Sequence, residues 1–218
     1  MRLKTEAHIT VQKLIPNVNL QYRQEWKLPD EHESAGLVSC DNEDVLILAL
    51  DDATKKDQIK VAHVQKAYVG GNRLLGEFTD ACTAIISGPK VQDVRSALSH
   101  ICDYVERKCA HYSTGPAPSV NWYADWVPRA GKYMQERLGI SEDTAYCYLY
   151  STPMESTYAL DAAMKASNTS LAEVSDIVTR DNRIGAILTG SESACRAAVE
   201  AYSNAIERFA KSPMNSEV

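Results

Sequence analysis

The feature of the sequence that most constrains the fold is an internal repeat. Residues 49–55 (ALDDATK) match residues 159–165 (ALDAAMK), an offset of 110 positions from 49 to 159. Residues 84–88 (AIISG) match residues 186–190 (AILTG), an offset of 102 positions from 84 to 186. A chain that repeats itself at this interval is typical of two tandem copies of one domain. We therefore predict a first domain over residues 1–109 and a second over residues 110–218.

The spacing of apolar residues predicts the same order of elements in both copies. The last helix of each copy carries an apolar stripe, at Val94, Leu98, Ile101 and Val105 in the first copy and at Cys195, Val199, Tyr202 and Ile206 in the second. Predicted strands are 35–40, 60–69, 81–87, 144–150, 170–177 and 184–189, and predicted helices are 43–57, 91–108, 121–138, 153–167 and 192–211. A linker is expected over residues 110–119. The predicted fold class is α+β, with helices packed on a mixed, mainly antiparallel sheet in each domain.

Several classes of function are disfavoured by composition and motif. The net charge is −6, so the sequence lacks the basic footprint of a nucleic-acid-binding protein. The longest apolar run covers only residues 45–50, and residues 1–10 lack the apolar core of a signal peptide, so we expect a cytoplasmic protein without a membrane span. Neither a phosphate-binding loop nor a nucleotide fingerprint is found, and the sequence predicts no enzyme and no cofactor.

One group of residues superficially suggests a metal site. His100, Cys102, Cys109 and His111 are closely spaced, yet on a regular helix the cysteines and histidines would lie on opposite sides. We therefore predict no metal site there.

The repeated motifs resemble the bacterial microcompartment shell domain. That family typically shows Ala-x-Asp-Ala-x-x-Lys-Ala on one helix, then Ser/Thr-Gly after a strand, then a helix with Ala-Cys-x-Ala-Ala. The second copy has ALDAAMKA at residues 159–166, Thr189-Gly190 and ACRAA at residues 194–198. The first copy keeps Ala49, Asp51, Ala53, Lys55 and Ser87-Gly88. Further stretches, at residues 27–29, 36–39, 51–55, 129–133 and 188–191, are similar to the circularly permuted, two-domain members of ethanolamine-utilisation compartments.

The resemblance implies a fold of two tandem, circularly permuted shell domains and a structural role. Three chains would form a homotrimer that mimics a hexamer and tiles with other shell proteins around a compartment in the cytoplasm. Such trimers carry a gated central pore and three small acidic pores for small-molecule metabolites. An alternative from the residues alone is a soluble tandem-domain regulator that binds a small molecule between its two copies.

The gate is expected where the first copy is longer. The difference between the offsets of 110 and 102 places eight extra residues between its first helix and its last strand. Glycines in this segment allow two backbone conformations without steric cost. The candidate gate residues are Tyr68, Gly70, Gly71, Asn72, Arg73, Leu74, Gly76, Glu77 and Phe78, faced by Arg180, Asp181, Asn182 and Arg183 of the second copy. The alternative is an ordinary surface loop.

The candidate lining of the small pores is an acidic cluster between the first strand and its helix. Asp41, Glu43 and Asp44 lie there, and the resemblance implies that such adjacent acids line small pores. Clustered carboxylates favour cationic or hydrogen-bonding solutes such as an amino alcohol. The alternative is a helix N-terminus, where acidic residues are favoured by capping and by the helix dipole.

Overall fold

The structure is a computed structural model that describes residues 2–68, 80–115, 119–175 and 183–214. In chain order the first elements are β1 Leu3–Glu6, β2 Ile9–Ile15, α1 Leu20–Glu25, β3 Ser34–Cys40, α2 Glu43–Lys56, β4 Lys60–Tyr68, β5 Asp80–Gly88 and α3 Val91–Arg107. The remaining elements are β6 Cys109–Ser113, β7 Asn121–Val127, α4 Lys132–Leu138, β8 Ala145–Ser151, α5 Pro153–Ala166, β9 Ser170–Val174, β10 Ile184–Gly190 and α6 Glu192–Lys211.

The chain forms two compact units whose boundaries interleave in sequence. The N-terminal unit comprises Glu6–Ala110 together with Gly131–Arg137. The C-terminal unit comprises Met1–Thr5, His111–Ala130 and Leu138–Val218. Each unit therefore takes most of one predicted domain and a short segment of the other.

The N-terminal unit is built on a four-stranded antiparallel sheet in the order β2-β3-β5-β4. The strand β3 lies inside this sheet and buries six of its seven residues. The helix α3 packs on α2 and on the sheet through the predicted apolar stripe, and all four stripe residues are buried. Apolar burial at helical spacing is the main stabilising contribution here.

The C-terminal unit is built on a six-stranded sheet in the order β1-β6-β7-β8-β10-β9. Its core joins β7, β8 and β10 to the helices α5 and α6. Two side-chain hydrogen bonds lie inside this core: the Trp122 indole donates to Ser203 Oγ at 3.1 Å, and the hydroxyls of Ser156 and Tyr202 lie 2.8 Å apart. The predicted α+β fold class, with helices packed on mainly antiparallel sheets, is confirmed in both units.

The predicted helix over residues 121–138 is wrong. Residues 121–127 form the strand β7, and only Lys132–Leu138 are helical. Both faces of β7 are covered, since Trp122 and Tyr123 are each buried, so its sequence shows no simple alternation. Pro128 then removes a backbone donor that a continuous helix would need.

The predicted linker over residues 110–119 is also partly wrong, because the strand β6 occupies its first residues. The elements β1, β2 and α1 were not predicted from the sequence at all.

The observed elements extend the internal repeat beyond the motifs. The strand β2 begins at Ile9 and β7 begins at Asn121, both are seven residues long, and the offset from 9 to 121 is therefore 112. The same offset relates Lys27 to Gly139, which both adopt positive φ, 52° and 66°. A backbone conformation this rare, at the end of two short helices, identifies α1 and α4 as equivalent elements.

None of the described helices is both long and apolar enough to cross a bilayer.

Candidate functional site

The acidic cluster lies where β3 ends and α2 begins. The backbone turns at Asp41, and Asn42 caps the helix by accepting a hydrogen bond on its side-chain oxygen from the Val45 N–H, at 2.9 Å. Glu43 and Asp44 form the first turn of α2, where negative charge interacts favourably with the helix dipole. The helix-start interpretation of this cluster is thus correct, with Asn42 as the capping residue.

Asp41 is tied to the neighbouring strand. The antiparallel register places Ile9 opposite Cys40, so His8 comes to lie beside Asp41. The Asp41 Oδ1 atom accepts the His8 backbone N–H at 2.7 Å, and its Oδ2 atom lies 3.0 Å from the His8 Nδ1 atom. These contacts fix the carboxylate at the surface, with about a fifth of its side chain exposed.

The other two acids differ in their access to solvent. Glu43 forms a 2.9 Å ion pair with Lys66 of β4 and keeps 21% of its side chain exposed. Asp44 is buried within the chain, with only 3% of the residue exposed. Solvent therefore reaches Asp41 and Glu43 but hardly reaches Asp44, and sequence reasoning missed both His8 and Lys66 as neighbours.

Two buried thiols lie beneath the cluster. Cys40 and Cys82 are paired in register on β3 and β5 and are fully buried. Burial raises the pKa of the Cys40 thiol to about 12, and burial also raises the pKa of Cys82. Both thiols are therefore protonated and unreactive at neutral pH, as expected for structural cysteines.

The predicted gate lies mostly outside the described residues. The strand β4 ends at Tyr68 and β5 begins at Asp80, so the candidate residues Gly70, Gly71, Asn72, Arg73, Leu74, Gly76, Glu77 and Phe78 fall between the described ranges. On the facing segment Arg180, Asp181 and Asn182 also fall outside, whereas Arg183 is described, half-buried and immediately precedes β10.

The four residues that suggested a metal site do not share one helix. His100 and Cys102 lie on α3, whereas Cys109 and His111 lie on β6. The His100 Nδ1 atom lies 2.6 Å from the Asp57 Oδ2 atom, so this ring nitrogen is paired with a carboxylate. Across residues 2–68, 80–115, 119–175 and 183–214, no group of three or more His, Cys, Asp or Glu side chains is placed to hold a metal ion.

Sequence comparison identifies the family to which this arrangement belongs. The bacterial microcompartment shell protein EutL from Clostridium perfringens is 35% identical to the chain over 202 residues, which cover 93% of each protein. The chain belongs to the EutL family of bacterial microcompartment shell proteins. A scan against protein-family models gives no match.

Solved structures agree with the EutL assignment. The crystal structure of the ethanolamine utilization protein EutL from Leptotrichia buccalis is 35% identical, covers 98% of both chains and superposes with a TM-score of 0.92. The structure of PduB, a trimeric bacterial microcompartment shell protein, covers 94% of this chain and 90% of its own with a TM-score of 0.77, and at 20% identity it shows a shared fold alone.

Membership of the EutL family settles the broad role of the chain. It is a structural component of a bacterial microcompartment shell and not an enzyme. The predicted family and the predicted location in a compartment shell are thereby confirmed. The alternative of a small-molecule-binding regulator is not favoured.

Proposed function

We propose that three copies of this chain form a pseudohexameric ring within the shell and that small metabolites cross the shell through it. The observation that carries the proposal is the duplication: each chain contributes two units in which a strand, a helix, two strands and a helix follow in the same order. Three such chains supply the six equivalent units of a hexagonal tile. The trimeric state of PduB, which shares the fold, supports the same stoichiometry.

The small pores of this ring would be lined by Asp41 and Glu43, whereas Asp44, the third predicted acid, is buried within the chain. Asp41 and Glu43 are partly exposed and held in place by His8 and Lys66, which makes them a fixed rather than a flexible source of negative charge. A constriction with fixed carboxylates favours cations and hydrogen-bonding solutes over anions. An amino alcohol such as ethanolamine, protonated at neutral pH, has this chemistry, and the name of the Leptotrichia relative refers to its utilisation.

The central pore would be gated by the longer segment of the first copy. Glycine permits backbone conformations that other residues cannot adopt, so Gly70, Gly71 and Gly76 would allow two states of the gate, and Tyr68, Leu74 and Phe78 would supply the bulk to close an aperture. Arg180, Asp181, Asn182 and Arg183 would line the facing side. Replacing Gly70 and Gly71 by valine should restrict the gate to one state and leave the trimer intact, whereas loss of the trimer would make the segment an assembly element.

Electron microscopy of the overexpressed chain tests the shell assembly. We expect flat, hexagonally packed sheets whose repeating unit has three-fold symmetry. Particles without lattice order, together with a monomeric mass in solution, would contradict the proposal.

Calorimetry with ethanolammonium chloride and with the neutral solute 1,2-propanediol tests the acidic lining. The proposal predicts tighter binding of the cation and a loss of this preference in the double variant Asp41→Asn, Glu43→Gln. The variant Asp103→Asn is a matched control, because this half-exposed acid lies on α3, outside the cluster. An unchanged preference in the double variant would contradict the role of Asp41 and Glu43.

A further inference from the structure

The helices α2 and α5 occupy equivalent places in the two repeats, yet they differ in how much of their surface is covered. At the offset of 110 that relates residue 49 to residue 159, each helix buries one face on its own sheet. Ala49 and Ala53 of α2 are fully buried there, as are Ala159 and Ala163 of α5. Equivalent positions are therefore buried on both helices.

Among the described residues, a second face of the helix is covered on α2 but not on α5. Its residues follow one another at spacings of four, three and three positions and so share one side of the helix. On α2 they are buried, at 3% for Asp44, 1% for Leu48, 0% for Asp51 and 3% for Thr54. The equivalent positions on α5 are exposed, at 61% for Met154, 40% for Tyr158 and 40% for Met164, and the Asp161 side chain is 61% exposed. We call these four residues of α5 the Asp161 face.

The segment Gly131–Arg137 contacts the second face of α2 inside the N-terminal unit. The Asp51 carboxylate accepts the backbone N–H groups of Gly131 at 2.9 Å and of Met134 at 3.0 Å. The Thr54 Oγ1 atom accepts the Tyr133 N–H at 3.3 Å. Met134 is fully buried in this arrangement. Two hydrogen bonds to one buried carboxylate make this a specific docking contact.

The segment equivalent to residues 131–137 is residues 19–25, which contain α1. The offset of 112 that aligns β2 with β7, and Lys27 with Gly139, places Asn19 at Gly131 and Tyr22 at Met134. In contrast to α4, the helix α1 has no buried residue. Leu20 and Tyr22 are 62% and 58% exposed. Within the part of the chain that the structure describes, both this segment and the Asp161 face are therefore largely exposed.

We propose that residues 19–25 of one copy dock on the Asp161 face of a second copy of this chain. The Asp161 carboxylate accepts hydrogen bonds from backbone N–H groups of the docked segment, as Asp51 does on α2. Leu20 and Tyr22 pack on Tyr158 and Met164. The proposal rests on the three-chain assembly proposed above and names the contact that would hold it together. Segment and face are different surfaces of the same chain, so the contact is head-to-tail and closes only as a ring.

The residues that differ between the two contacts predict a slightly larger distance between segment and helix at α5 than at α2. A Cβ atom at Gly131 would come within 2.1 Å of the Asp51 carbonyl oxygen, so glycine is needed for the close approach on α2. Asn19 replaces this glycine, and the docked segment must therefore lie farther from α5. Tyr158 and Met164 are larger than Leu48 and Thr54, and they fill the space that this displacement opens.

Disulfide cross-linking between copies tests the contact directly. Gln21 is equivalent to Tyr133 and Met164 to Thr54, so the pair Gln21→Cys, Met164→Cys should form disulfides between chains on mild oxidation. On a denaturing gel we expect covalent dimers and trimers and no larger species, because the ring closes at three. The single variants Gln21→Cys and Met164→Cys should stay monomeric on the same gel and control for the native cysteines.

The outcomes separate this inference from the assembly on which it rests. A cross-linked ladder ending at the trimer supports both. If the double variant has a trimeric mass in solution but forms no cross-link between chains, the docking contact is wrong and the trimer stands. A monomeric mass overturns both.

The variant Asp161→Ala tests the carboxylate itself. We expect the protein concentration at which the assembly half-dissociates to rise at least about tenfold, because hydrogen bonds to a charged group are lost from each interface. The control Asp103→Ala removes a comparably exposed acid, also paired with a residue four positions on, from α3. Equal dissociation in both variants, with native circular dichroism, would overturn the role of Asp161.

Discussion

Asp51 and Gly131 lie 80 positions apart in the chain and are joined by a 2.9 Å hydrogen bond between the Asp51 Oδ2 atom and the Gly131 backbone N–H. The carboxylate is fully buried, also accepts the Met134 N–H, and lies 3.4 Å from the Lys55 ammonium group. One side chain of α2 thus holds a segment from the other half of the sequence in the N-terminal unit.

Replacing Asp51 by alanine should lower the free energy of unfolding by about 2–4 kcal/mol, since two backbone donors lose their buried acceptor. Urea denaturation at a fixed protein concentration measures this change. The control Asp103→Ala removes a half-exposed acid and should change the free energy by no more than ~0.5 kcal/mol. Equal stability of the two variants would show that Asp51 does not anchor the segment.

Replacing Gly131 by alanine should also destabilise the fold, because the added methyl group would overlap the Asp51 carbonyl oxygen. Gly115 is a suitable control, since a Cβ atom there would meet nothing within 4 Å. We expect a lower urea midpoint for Gly131→Ala than for Gly115→Ala. A midpoint for Gly131→Ala at or above that of the control would argue against the close approach of the segment to α2.

The cap of α2 can be tested in the same way. Replacing Asn42 by alanine should cost about 1 kcal/mol of stability, because the Val45 N–H loses its side-chain acceptor. Lys90 occupies the equivalent cap position of α3 but makes no side-chain capping hydrogen bond, so Lys90→Ala should be nearly neutral. Thermal unfolding of both variants measures the difference, and equal losses would argue against a capping role for Asn42.

His32 gives the stability a pH dependence with a definite sign. Burial lowers the pKa of the His32 imidazole from its usual 6.5, and its Nδ1 atom lies 2.9 Å from the Ser87 hydroxyl. The unfolded chain therefore takes up a proton more readily than the folded one. This contribution to stability is fully present above pH 6.5 and is lost as the pH falls through the lower folded-state pKa.

As the pH is lowered below 6.5, the free energy of unfolding should therefore fall less steeply for the variant His32→Gln than for the parent protein. The variant His63→Gln, on the exposed side of β4, should keep the slope of the parent. A slope for His32→Gln as steep as that of the parent would contradict the assignment to His32.

Cysteine accessibility supplies a chemical test of the core. Burial raises the pKa of the thiols of Cys40, Cys82 and Cys102, but Cys40 and Cys82 are fully buried whereas Cys102 is only partly buried and so is accessible to a reagent. Iodoacetamide at pH 8 should modify Cys102 well before Cys40 or Cys82 in the folded protein, and peptide mass spectrometry reads out the order. Early modification of Cys40 would mean that the junction of β3 and α2 opens readily.

Local patterns predicted most of the fold. The spacing of the apolar residues from Val94 to Val105 predicts a helix without knowledge of the tertiary structure. The matching motifs around Asp51 and Asp161 are enough to indicate the duplication. The strand β7 was not predicted, because Trp122 and Tyr123 are buried on opposite faces of the sheet. The sequence therefore lacks the alternation of apolar and polar residues that indicates a strand.

The site itself was only half predictable. Asp41, Glu43 and Asp44 are adjacent in sequence, so their cluster was evident. Their partners depend on tertiary packing: His8 meets Asp41 only because β2 pairs with β3, and Lys66 meets Glu43 only because β4 lies against the start of α2. The contact between Asp51 and Gly131 likewise depends on long-range folding that no short window of sequence contains.

The mass of the purified chain in solution tests the central claim most directly. Sedimentation equilibrium at micromolar concentration should give three times the chain mass of 24.1 kDa. A single species at 24.1 kDa, stable over the accessible concentration range, would contradict the proposed ring and every function assigned to its pores.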